Sequence, residues 1–204
     1  MQATADDFTP DLSQLAQGDW WSVMRQMGEQ HGFHEPLGRA HAGIFVERGD
    51  TLIVSFESVP GIRTLSPTHT PLGFEMLSRA GWSSLVTLAS GDTWYRDPRV
   101  YEFFDQLTDD GFFEDFERVV FYGAGPGGYA AGAYSVASPG ARVLLLQPQA
   151  TLDPRIAEWD DRFVHMRRTD LKCQINPTLD EHALRKWAYQ RYIKDYLRVI
   201  ASVD

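Results

Sequence analysis

Cysteine is nearly missing from this chain: Cys173 is the only one in 204 residues. A lone thiol excludes an intramolecular disulfide and any multi-cysteine metal site, so a reducing cytoplasm is the simplest setting. Long apolar runs are missing too. No stretch approaches the roughly 20 residues that a membrane helix needs. The amino terminus, MQATADDFTP, has neither the basic region nor the apolar one that opens a secretory signal. Positive charge is in the minority, with 19 Lys and Arg against 28 Asp and Glu and a formal net charge of -9. That balance argues against unaided binding to a nucleic-acid backbone or an anionic membrane, and it names no partner. Internal repeats and low-complexity tracts are also absent.

What is present belongs to a folded chain. Hydrophobic residues make up 43% of it, enough for a substantial core, and the length suits one α/β domain better than two. The expected organisation is a loose polar leader over residues 1–10 and a single domain over 11–204. Apolar positions at Leu12, Leu15, Trp20, Val23, Met24 and Met27 predict an amphipathic helix over about 11–30. AGIFVERGDTLIVSFES holds two β-rich runs around Arg48-Gly49-Asp50 and reads as a hairpin. VPGIRTLSPTHTPLG reads as a loop, FEMLSRAG as a short helix ending at Gly81, and SSLVTLAS as a third strand. Two helical pieces broken at DDG are expected between Asp97 and Glu117. The strand RVVFY, a helix through GYAAGAYSVA and the strand ARVLLLQP follow. A last helix begins near the capping box of Thr178 and Glu181. Strands alternating with helices predict an α/β fold: a mainly parallel sheet with helices on both faces.

The stretch VVFYGAGPGGYAAGAYS, residues 119–135, is the most informative. Gly123, Gly125 and Gly128 fit G-x-G-x-x-G between a strand and a helix. That is the phosphate-binding turn of dinucleotide folds, where FAD or NAD would lie over the helix amino end. The same residues also fit the frame of a nucleophile elbow, G-x-S-x-G, as Gly123-Ala124-Gly125-Pro126-Gly127. The first reading lacks an acid at the end of the next strand, which ends in Gln147, and the motif follows three earlier strands.

FYGAGPGGYAAGAYS followed by VLLLQPQATLDP resembles a branch of the α/β-hydrolase superfamily. In that branch the elbow reads Y-G-S-S-M-G-G-Y-A-A and the next strand ends in Pro-Gln. The resemblance covers about residues 43–163 and implies an α/β-hydrolase-like fold, here with an incomplete sheet. It also implies that the nucleophile position holds Gly125, which has no hydroxyl. The residue after it, where the main oxyanion amide belongs, is Pro126, which has none. No catalytic residue is therefore expected at the elbow. Ser135 and Ser138, further along the helix, are the candidates for a displaced nucleophile. His165 and His182 are the only histidines after the elbow, and neither follows a recognisable strand.

Other constellations have bland explanations. His31, His34, Glu35 and His41 lie close together and could hold zinc, but straddle a helix end and a loop, so surface histidines and no metal are expected. Cys173 lacks the signature that surrounds reductase thiols and reads as structural. LRKWAYQRYIKDYLR interleaves basic and aromatic residues, yet Leu184, Trp187, Tyr192, Tyr196 and Ile200 form one helical stripe suited to packing or self-association. Asp92, Trp94, Tyr95 and Arg96 follow a strand end, where α/β proteins place ligands. The expected site is a relic pocket lined by these four with Gly123, Gly125, Pro126, Gly127, Gly128 and Tyr129. Its expected work is binding without cofactor, with a small anion held at the Gly127 and Gly128 amides. A dinucleotide-dependent oxidoreductase and an esterase with a displaced nucleophile stay open as alternatives.

Overall fold

The computed structural model describes residues 8–149. The chain divides into two compact units, 1–148 and 149–204, and every element named here belongs to the first. The expected closing helix, with His165, Cys173 and His182, lies outside the described residues. Phe8, inside the stretch read as leader, is buried, with its ring beneath the Arg48 guanidinium and edge-on to His31.

The sheet has six strands in the order β1-β2-β4-β3-β5-β6. They are β1 (Gly32–Leu37), β2 (His41–Val46), β3 (Thr51–Ser58), β4 (Ser83–Ala89), β5 (Arg118–Ala124) and β6 (Arg142–Leu146). Only β2 runs against its neighbours; β4, β3, β5 and β6 are mutually parallel. The fold is α/β with a mainly parallel sheet. β2, β4 and most of β3 are buried at every position. This explains why their sequences are near-continuous apolar runs instead of alternating ones.

Two cores result. On one face, α4 (Pro98–Asp109) and α5 (Pro126–Tyr134) cover Leu52, Val54, Phe56, Leu85 and Phe121. On the other, α1 (Gln17–His31), α2 (Val59–Leu65) and α3 (Leu72–Ala80) cover Ile44, Val46, Val86 and Leu88. Helix α1 buries Trp20, Met24 and Met27, one stripe at helical spacing. Its start is Gln17, several residues later than the apolar pattern predicts. Gly81 ends α3 in the left-handed conformation, at φ 66°. Asp97 caps α4 by accepting from the Arg99 amide, ahead of Pro98 at the first helical position. Among the described residues no helix is long and apolar enough to cross a membrane.

Three expectations are corrected. Arg48-Gly49-Asp50 does not close a hairpin, because β4 lies between β2 and β3. The connection instead crosses the start of β4. There the Ser83 hydroxyl accepts from the Arg48 and Gly49 amides and donates to the Gly49 carbonyl. The stretch VPGIRTLSPTHTPLG is not all loop: Ser58 caps α2 through the Gly61 amide, and Pro60 sits where a helix start tolerates it. GFHEPL is strand β1, so four strands precede the glycine cluster. Its Pro36 is compatible with a strand because β1 lies at the sheet edge.

Candidate functional site

β5 ends in the glycine cluster. Gly123 packs so tightly against the start of α5 that an added Cβ would enter the Gly127 carbonyl group; a Cβ on Gly127 would enter the Phe56 carbonyl oxygen. Two bare backbones thus let the helix lie directly on β5 and β3. Gly125 adopts φ 53°, ψ −120°, the conformation of the first central residue in a type II′ turn, which glycine favours. Its amide donates to the Leu146 carbonyl at 2.8 Å, and its carbonyl accepts from Tyr129 at 3.0 Å. Nothing lies within 4 Å of the place a Gly125 Cβ would occupy. Pro126 then opens α5. Strand, tight turn and helix follow one another here, and the turn residue Gly125 carries no side chain.

The turn after β4 is strained. Trp94 and Tyr95 both have φ 56°, although bulky residues rarely tolerate positive φ. The Arg96 amide closes the turn on the Thr93 carbonyl at 3.4 Å. Several contacts hold it. The Tyr134 hydroxyl donates to the Tyr95 carbonyl at 2.6 Å, the Tyr95 ring meets Phe56 edge-on, and the Trp94 ring meets Tyr129 edge-on. The last contact joins the 94–96 turn to Tyr129 in the first turns of α5. Asp92 does not join them; its side chain is exposed.

Electrostatics around this turn follow from burial. It pushes the Tyr95 hydroxyl well above its ordinary range, with the charges of Glu57 and Asp92 adding to the effect. Burial also raises Tyr129, and the nearby Arg96 guanidinium partly opposes the rise. Arg96 itself is 7% exposed and makes no ion pair among the described residues. Glu57, which sequence reasoning did not single out, sits at the end of β3. Its carboxylate accepts from Ser55 Oγ and from the Leu72 and Gly73 amides at the start of α3. Burial nevertheless outweighs these bonds and raises its pKa. Only the fold could reveal it, since nothing near FESVP marks an acid that reaches another helix.

Other candidates scatter. The Ser135 hydroxyl is turned back to the Gly132 carbonyl, and Ser138 lines a cavity of about 550 Å³ with Arg118 and Arg142. Those arginines begin β5 and β6, so this cavity opens at the edge opposite the elbow. His31 ends α1, while His34 and Glu35 are consecutive in β1 and face opposite sides. Among the described residues no three His, Cys, Asp or Glu groups could hold a metal. The expectation of surface histidines fails for His41, which is 6% exposed and hydrogen-bonded to Thr93. The glycine-rich strand is fifth in the chain and lies between β3 and β6, whereas in dinucleotide folds it opens the domain.

No protein-family model matches the chain, and no curated protein matches it. Solved structures of the capsule O-acetyltransferase of Neisseria meningitidis serogroup A are similar to it. One, in complex with caged gadolinium, has a TM-score of 0.40 at 14% identity, covering 69% of this chain and 61% of that chain. Another has a TM-score of 0.41 at 15% identity, covering 63% of this chain and 55% of that one. The chain therefore spans about six-tenths of their length, and a likeness at these values says nothing about chemistry.

Proposed function

We propose that this is an α/β-hydrolase-like protein whose elbow binds a small anion and does not cleave esters. One observation carries the reading: the outward position of the elbow is Gly125, followed by Pro126, so neither a nucleophilic hydroxyl nor the principal oxyanion amide is available. Losing one oxyanion donor costs about 10²–10³ in rate, before the missing nucleophile is counted. What the elbow keeps is the amino end of α5, where among the described residues no acceptor meets the Gly127 and Gly128 amides. Arg96 adds a second reason to expect an anion. It is 7% exposed and among the described residues meets no carboxylate, so a carboxylate or phosphate would be a favourable partner for it.

The test is titration of the full chain with inorganic phosphate and with acetate, followed through the NMR shifts of the Gly127 and Gly128 amides. Saturable shifts are expected, weakened about tenfold by Arg96→Gln, the loss of one charged hydrogen bond. Linear, unsaturated responses to both anions would remove the proposal.

A further inference from the structure

A second constellation lies at the same end of the sheet and includes the first residue of the strained turn. His41 begins β2, Thr93 starts the strained turn after β4, and Asp97 caps α4. His41 Nε2 is 2.6 Å from Thr93 Oγ1, and His41 Nδ1 is 4.0 Å from Asp97 Oδ2. We infer that Thr93, His41 and Asp97 form a hydroxyl–imidazole–carboxylate relay that accepts an acyl group at Thr93 from an activated ester.

The relay requires one tautomer of His41. Thr93 Oγ1 accepts from the Tyr95 amide, and its contact with His41 Nε2 takes its direction from the imidazole tautomer; the relay uses the tautomer in which the hydroxyl donates to Nε2. In that form the imidazole proton sits on Nδ1, which is buried and has no hydrogen-bond partner among the described residues. Asp97 is positioned to supply one. Its Oδ1 accepts from the Arg99 amide, and Oδ2 is the oxygen left facing the ring. Relays of this kind are often loose without substrate and tighten when it binds. Thr93 is half-buried. Asp97 and Tyr95 are the titratable groups against the ring, and Thr93 is neutral. Burial lowers the His41 pKa from its ordinary value of 6.5, with Asp97 opposing, so the ring is a neutral base at pH 7.

The step balances. Thr93 Oγ1 bonds to the ester carbonyl carbon as its proton passes to His41 Nε2. The tetrahedral adduct collapses, the bond to the leaving alkoxide breaks, and the alkoxide takes the proton from His41. Water attacks the Thr93 ester by the same route, releasing the carboxylic acid and restoring the hydroxyl. Asp97 takes no proton; it holds the tautomer.

The experiment treats the full chain with p-nitrophenyl acetate and an alkyl fluorophosphonate, and locates adducts by peptide mass spectrometry. An adduct at Thr93 is expected. It should be absent in Thr93→Val and faster in Thr93→Ser, whose primary hydroxyl is less hindered. It should be about 10²–10⁴-fold slower in His41→Gln, as removal of a general base predicts. Asp97→Asn should slow it while the labelling rate keeps its rise with pH below 6.5. A bond that merely pins the turn would leave Thr93 unlabelled in both wild type and Thr93→Ser. That result, or labelling indifferent to His41→Gln, would overturn the inference. Anion binding at Gly127 and Gly128 is read separately and does not depend on this outcome.

Discussion

The Tyr134 hydroxyl donates to the Tyr95 carbonyl at 2.6 Å, tying the helix that leaves the elbow to the strained turn after β4. The Tyr134 ring also lies 16° from parallel with Phe56 and close to Phe104, so the bond is one part of a packed aromatic layer. Tyr134→Phe keeps the ring and removes the bond. Leaving the Tyr95 carbonyl without this donor should lower stability by about 1–3 kcal/mol, read as a drop in the urea midpoint at unchanged slope. An unchanged midpoint would mean that packing alone holds the turn.

Gly125→Ala tests whether the elbow stores backbone strain. The added methyl meets nothing within 4 Å, so steric crowding predicts no effect. The φ of 53° with ψ −120° predicts a loss of about 1–3 kcal/mol from conformation alone. Gly81→Ala, at φ 66° with equally open surroundings, is the internal reference for a helix end. Thermal unfolding of the two variants separates them, and a neutral Gly125→Ala would show that the turn adapts.

Much of this architecture was legible beforehand. The apolar runs of β3, β4 and β5, the Gly81 stop and the glycine cluster each carry a local physical signal. The pairing of β2 with β4 does not. Arg48-Gly49-Asp50 has the composition of a tight turn, and only the distant Ser83 hydroxyl makes it a crossover. Strand β1 hid behind Gly32 and Pro36, which a central strand would reject and an edge strand accepts. Trp94 and Tyr95 could be grouped with Tyr129 because one turn follows β4 and the helix start follows β5. The pairing of His41 with Thr93 and Asp97 had no such signal, since they lie 52 and 56 residues away and meet it only through the sheet.

Gly123→Ala is the opposite case to Gly125. Here the methyl would run into the Gly127 carbonyl group, which is backbone and cannot rotate away. Helix α5 would have to lift from β5, disturbing Ala130, Ala131 and Tyr134 in the same core. A loss of about 3 kcal/mol, at the upper end for overpacking, is expected. Near-wild-type stability, measured by urea unfolding, would contradict the close packing.

Glu57 supplies a pH dependence whose sign follows from its raised pKa. The folded state holds the proton more tightly than the unfolded chain, whose value is near 4.5. Its contribution is therefore fully present below 4.5 and is lost as pH rises through the folded pKa. His41 works in the opposite direction: its pKa is lowered from 6.5, so its contribution is present above 6.5 and is lost as pH falls toward the folded value. The two oppose each other in any simple pH scan. Comparing wild type with Glu57→Gln removes the common part. The amide preserves size but turns a donor toward the Leu72 or Gly73 amide, so the variant should be weaker by about 1–3 kcal/mol at pH 7. The gap should widen toward pH 4.5, because wild type alone recovers the protonated form. Urea unfolding at matched pH values checks this, and a gap that narrows with acidification would mean that the three hydrogen bonds outweigh burial.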